Sequence, residues 1–110
     1  MTATELLNRY IFLHNYGIEM GDFEPLMSLF HDDAVFEFED SRIGTFSGID
    51  MIKGVFRRQA PTLTITVRDV IEKPGIAVAD YGSDAEPDKR LGSISLEAED
   101  DKIKRLFIGK

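Results

Sequence analysis

The chain is predicted to be an α+β protein in which a curved, mainly antiparallel sheet wraps around helices and leaves room for a small hydrophobic ligand. Three observations lead there. Apolar residues recur at helical spacing near the N-terminus, whereas from Thr62 onward the period changes to two. Short turn signals separate the later strands, which makes consecutive strands antiparallel neighbours. Between these regions lies Gly21 to Gly48, GDFEPLMSLFHDDAVFEFEDSRIGTFSG, which reads as a short capped helix, an Asp-Asp turn, an aromatic-lined strand and the cap of a further helix.

The first element is a helix over Thr2 to Tyr16. Thr2 and Glu5 have capping-box spacing, and Leu6, Leu7, Tyr10, Ile11, Leu13 and His14 form an apolar-aromatic stripe. Gly17 ends or loosens it, and Gly21 marks the turn. Asp22 is placed as the N-cap of a second helix, with Glu24 and Pro25 in its first turn and Leu26, Met27, Leu29 and Phe30 on its buried side. Asp32-Asp33 then turns into a strand over Ala34 to Asp40. Alternation puts Phe36, Phe38 and Asp40 on one face and Val35, Glu37 and Glu39 on the other.

Ser41 to Phe46 is a loop or short strand. Ser47 and Asp50 repeat the capping spacing for a third helix carrying Met51, Ile52, Val55 and Phe56, which Pro61 stops. Four strands follow: from Thr62 to Val70, Ile76 to Tyr81, Leu91 to Glu97, and Lys102 to Ile108. Pro74-Gly75, the polar segment GSDAEPDKR and Asp100-Asp101 are the turns between them.

Bulk composition narrows the function classes. With 110 residues the chain suffices for one domain, 1–110, and is short for two. Thirteen Lys and Arg against 20 Asp and Glu give a net charge of −7 with no basic patch, which argues against nucleic acid and anionic membrane partners. Without cysteine there are no disulfides and no thiolate-held metal. The two histidines, His14 and His31, lie on separate predicted elements without metal-helix spacing, so no metal and no cofactor is expected. No basic leader with an apolar segment and no spanning apolar run is present, so a cytoplasmic location is the expectation.

The order of elements, together with Gly21-Asp22-Phe23, Leu29-Phe30-His31-Asp32-Asp33-Ala34-Val35-Phe36 and Gly48-Ile49-Asp50-Met51-Ile52, resembles the nuclear transport factor 2-like (NTF2-like) superfamily, in particular its SnoaL-like and ketosteroid-isomerase-like branch. The resemblance covers almost the whole chain. It implies a cystatin-like fold: a cone-shaped, strongly bent antiparallel sheet packed on three helices from the N-terminal half. It also implies a pocket at the open end of the cone, and often a homodimer. Isomerase members use an acidic base to take a proton beside a carbonyl, and a Tyr–Asp pair to donate hydrogen bonds to the enolate oxygen. The tyrosine position falls on His14, the base on Phe38 and the second aspartate near Ser93, so this chain departs from all three. Orthodox ketosteroid isomerase chemistry is therefore not expected.

Candidate residues remain. His14, one turn from Tyr10, falls at the oxyanion-binding position and can donate, accept or exchange a proton near neutral pH; a half-buried histidine satisfying a carbonyl is the plain alternative. Asp40 shares the parity of Phe38 and is the substitute for the missing base, or else an ordinary turn residue. Phe36, Phe38, Phe56 and Tyr81, with Met27 and Met51 beside them, line a ligand cavity or simply fill the core. Ser93 offers a hydroxyl to a ligand carbonyl or sits on the outer sheet surface. Arg58 and Arg68 are possible anchors for a carboxylate.

The resulting expectation is a domain that binds a small apolar or cyclic carbonyl compound. Isomerase or polyketide-cyclase-like proton transfer would have His14 on the oxygen, Tyr10 or Ser93 assisting, and Asp40 relaying the proton. The rival is a non-catalytic carrier or a protein-binding, dimerising module. A cavity of roughly 300 Å³ or more with convergent polar groups favours ligand chemistry over the rival.

Overall fold

The computed structural model describes residues 1–110. Helix α1 runs over Ala3–Met20 and opens with the predicted capping box: the Thr2 hydroxyl accepts from the Glu5 amide at 3.1 Å, and Glu5 Oε1 accepts from the Thr2 amide at 3.0 Å. The helix passes through Gly17 and closes at Gly21, whose φ of +67° satisfies the last turn without a Cβ penalty. Leu6, Leu7, Tyr10, His14 and Gly17 form its buried stripe.

Helix α2 is one turn, Glu24–Met27. Asp22 accepts from the Glu24 amide at 3.0 Å but stands one residue before the cap position, which Phe23 holds. Leu29 and Phe30 are buried, yet Phe30 already begins a strand. Helix α3, Ile49–Arg58, buries Ile52, Val55 and Phe56; its cap is Gly48 at φ +88°, with no side-chain cap bond, so the expected Ser47–Asp50 box does not form.

Six strands make one sheet: β1 Phe30–Phe38, β2 Thr45–Ser47, β3 Ile65–Lys73, β4 Ile76–Ser83, β5 Arg90–Glu99 and β6 Lys102–Gly109, in the order β2-β1-β6-β5-β4-β3. The β3–β6 run is the predicted antiparallel meander. Pro74-Gly75 makes its first turn, and Asp100 and Asp101, both at positive φ (+54° and +60°), make its last as a two-residue hairpin.

The expectation of a cone-shaped, strongly bent antiparallel sheet is corrected here. The sheet is mixed, because β1 and β6 pair in parallel from Val35↔Arg105 to Phe38↔Ile108. It is also open, with β2 and β3 as unpaired edges, and is not strongly curled. Turn chemistry orders consecutive strands only. It carries nothing about how the first long strand meets the last, and that pairing decides the sheet's character. Asp32-Asp33 is likewise a break inside β1 rather than a turn before it: five steps from Phe30 to Val35 oppose two steps of β6.

The helices cover one face. Helix α1 packs on β3, β4 and β5, and α3 packs on β1 and β2. Leu6, Leu7, Leu26, Ile52, Ile94, Leu96, Ile103 and Leu106 are fully enclosed between the layers. No helix is long and apolar enough to cross a membrane.

Candidate functional site

Between α1 and α3, where neither helix covers the sheet fully, lies a cavity of about 250 Å³. Tyr10 and His14 reach it from α1, and Val55, Phe56 and Gln59 from α3 and its end. Phe36, Phe38, Tyr81, Ile94 and Ile108 form the sheet floor, and Pro61, Leu63 and Ile65 complete the wall. Ten of the 13 lining residues are hydrophobic and none carries a formal charge, so an ion placed there would find no counter-charge in the lining. Three depressions are larger, about 370 Å³ at the Met1–Ala3 and Asp100-Asp101 end, about 440 Å³ beside Gly21–Glu24 and about 270 Å³ between Ser95, Glu97, Arg105 and Phe107, and each has charged side chains in its lining. The volume falls somewhat below the roughly 300 Å³ lower bound of drug-sized sites, and above the roughly 150 Å³ apolar void that accepts benzene.

Strand and helix periods explain this lining. Phe36 and Phe38 share the inward face of β1, with ring centroids 4.6 Å apart, and Phe36 stacks on Phe56 of α3 at 6.0 Å. On β4 the inward residues are Ala77, Ala79 and Tyr81, so small side chains under α1 give way to a phenol at the cavity. The Tyr81 ring rests against Gly92, its cross-strand partner on β5, in space that a Cβ would contest: 2.9 Å to Cε1 and 3.1 Å to the hydroxyl.

Four of the lining residues carry polar groups: Tyr10 and Tyr81 a hydroxyl each, His14 an imidazole and Gln59 a carboxamide. His14 is 6% exposed, and its ring lies 5.9 Å from that of Tyr10. Burial pushes the His14 pKa down, partly opposed by the hydrogen bond between Nδ1 and Asn15 Oδ1 at 3.0 Å. Burial pushes both phenols up; the charge of Tyr81 adds to the effect on Tyr10, and Arg90 opposes it at Tyr81. The histidine of the lining is therefore neutral and its two tyrosines protonated near neutral pH.

The structure brings together six of the residues singled out from the sequence: Tyr10, His14, Phe36, Phe38, Phe56 and Tyr81. It sets the others apart. Asp40 follows the end of β1, in a turn where both its carboxylate oxygens are taken by Arg42, at 3.0 and 2.8 Å. Strand parity ends with β1 at Phe38, two residues short of Asp40, and that ion pair holds the Asp40 pKa down rather than raising it toward a base near neutrality. Ser93 lies on the face away from the helices, since its neighbours Gly92 and Ile94 are the buried ones. Met51 is 52% exposed, and Met27 borders the separate depression beside Gly21–Glu24 instead. Arg58 and Arg68 do not line the cavity.

Sequence reasoning overlooked Val55, Gln59, Pro61, Leu63, Ile65, Ile94 and Ile108. Ile94 was recoverable, because it alternates with Ser93 and Ser95 and so must face inward if they face out. Asn15 was overlooked as well. Its side chain spans 50 residues, donating to the Ile65 carbonyl at 2.8 Å and accepting from the Ile65 amide at 3.0 Å, and so ties α1 to the first residue of β3.

A family model for SnoaL-like domains matches residues 12–105. No curated protein matches the chain in sequence. Among solved structures, an NTF2-like protein from Anabaena variabilis superimposes with a TM-score of 0.73 at 15% identity, covering 98% of this chain and 90% of that one. A proposed polyketide cyclase from Sinorhizobium meliloti gives 0.65 at 20% identity, covering 90% and 92%. A proposed isomerase from Rhodopseudomonas palustris gives 0.72 at 11% identity, covering 94% and 87%. Likeness at these identities establishes a shared fold.

Proposed function

The chain belongs to the SnoaL-like domain family of the NTF2-like superfamily, and we propose that its cavity binds a small, uncharged, largely apolar carbonyl compound and transfers a proton beside that carbonyl. The observation that carries this reading is the lining: an apolar chamber without formal charge whose wall includes two tyrosines and one neutral histidine. A ligand carboxylate or ammonium would lose its hydration there and gain no counter-charge, which excludes charged molecules on energetic grounds. A ring carbonyl gains hydrogen bonds from hydroxyls that water cannot weaken. The volume fits a molecule of one or two rings. Two proteins of this fold are described as a proposed polyketide cyclase and a proposed isomerase, and either reaction type can run on the proton transfer proposed here.

Thermal-shift titration with neutral cyclic enones and diketones, each beside a carboxylated analogue, tests the binding. The neutral members should stabilise saturably, by about 2.7 kcal/mol at a hundredfold excess over Kd, and the carboxylates should not. Equal stabilisation by the charged set would overturn the reading. Exchange of the ligand's α-hydrogens in D₂O, followed by NMR, then separates an enzyme from a carrier: a carrier binds without exchange. A homodimer is the accompanying proposal, through the helix-free sheet face, where the cross-strand pair Ile71 and Val78 is exposed. Sedimentation velocity of the wild type beside Ile71→Lys tests it, with a monomeric wild type as the refuting result.

A further inference from the structure

We propose that Asn15 is a positioning residue that holds the His14 proton on Nδ1, so that Nε2 is the proton acceptor of the cavity while Tyr10 and Tyr81 are its hydrogen-bond donors. This rests on the cavity reading above and assigns its polarity. It reverses the role first expected for His14, as donor to a ligand oxygen.

The backbone of β3 determines the outcome. Asn15 Nδ2 donates to the Ile65 carbonyl at 2.8 Å and Oδ1 accepts from the Ile65 amide at 3.0 Å. Flipping the carboxamide would set NH₂ against N–H and oxygen against oxygen, so two backbone groups fix which atom is the oxygen. That same Oδ1 lies 3.0 Å from His14 Nδ1. A carboxamide oxygen has no hydrogen to give, so the bond exists only with the proton on Nδ1. In a neutral ring the lone pair is then on Nε2.

Nε2 has no protein partner, yet no buried side-chain nitrogen or oxygen is left unpaired. It is therefore not sealed in the core and opens onto the cavity that His14 lines. The same reasoning applies to the Tyr10 hydroxyl, which has no protein partner on a side chain that is otherwise enclosed.

The proton balance closes without a co-reactant. Nε2 takes a proton from the carbon next to the ligand carbonyl, and the C–H electron pair moves into an enolate whose oxygen accepts from the phenol hydroxyls. The imidazolium keeps its Nδ1–H on Asn15, then returns the Nε2 proton to the same or another carbon. Neutral histidine is restored, and the net result is exchange or isomerisation.

The second histidine supplies an internal control. His31 Nδ1 accepts from the Asp33 amide at 3.2 Å, so the two imidazoles should be opposite tautomers. Long-range ¹H–¹⁵N correlation of the ring nitrogens at alkaline pH reads this in the absence of ligand; His14→Gln assigns the signals. The expected result is Nδ1–H for His14 and Nε2–H for His31. His14 as Nε2–H, or as the rapid mixture of free imidazole, would overturn the inference even if neutral ketones still stabilised the protein.

Asn15→Ala also removes the tie to Ile65, so Asn15→Asp, which keeps an acceptor for Nδ1–H, is measured beside it. Asn15→Asp should retain the Nδ1–H form and Asn15→Ala should lose it. In ligand α-hydrogen exchange Asn15→Ala should fall by up to about 100-fold, the lower end of what a positioned general base contributes. Unchanged tautomers in Asn15→Ala would refute the role of Asn15.

Discussion

Replacing Gly17 with alanine should destabilise this protein, although the same change in an ordinary helix interior stabilises. Alanine gains about 1 kcal/mol over glycine from helix propensity alone. Here the added methyl would meet the ring of Phe23, overlapping Cδ1 and lying 2.5 Å from Cε1 and 3.0 Å from Cγ. Phe23 cannot yield freely, because its ring packs 5.3 Å from Phe56, which stacks in turn on Phe36 at the cavity floor. Overpacking of this kind costs about 1–3 kcal/mol, which leaves a net loss of up to about 2 kcal/mol. In a domain of this size that is a fall in Tm of up to roughly 8–10 °C. Urea denaturation of the wild type, Gly17→Ala, Phe23→Ala and the double variant forms a cycle. In the Phe23→Ala background the sign should invert, with Gly17→Ala now stabilising by about 1 kcal/mol. If Gly17→Ala stabilises equally with and without the Phe23 ring, the packing account of this glycine is wrong.

Three further outcomes are expected. Because burial lowers the His14 pKa, the unfolded chain takes up that proton first, so stability is fully present above about pH 6.5 and is lost as pH falls toward the folded pKa. The slope is at most about 1.4 kcal/mol per pH unit; Tyr10, Tyr81 and Asn15 face the ring without formal charge, and denaturation series from pH 5 to 8 should show His14→Gln flatter than wild type by this contribution. Tyr81→Phe should weaken a bound neutral ketone by about 0.5–1.5 kcal/mol, roughly 2- to 10-fold in Kd by calorimetry, with little change in Tm. Asp40→Asn should leave ligand affinity and exchange unaltered and shift stability by no more than about 0.5 kcal/mol, since the exposed Arg42 pair it breaks is screened by water; a loss of exchange would restore Asp40 as the base.

What could be read from the sequence is what neighbouring residues decide between themselves. The Thr2–Glu5 box, the stripe from Leu6 to His14, the inward parity of Phe36 and Phe38, and the Pro74-Gly75 and Asp100-Asp101 hairpins are each set by bonds or periods spanning a few positions. They sufficed for the helices, the β3–β6 meander and six of the cavity residues. Asp40 shows where this kind of inference stops: parity holds only while a strand lasts, and β1 ends at Phe38.

The parallel pairing of β1 with β6 and the hold of Asn15 on Ile65 join residues 50 or more positions apart. Local patterning carries no record of such partners. The cavity is more remote still, since it is volume that α1 and α3 leave unfilled over the sheet. Only the tertiary packing of those layers determines its size, and only an amide held by a distant strand determines which nitrogen of His14 faces into it.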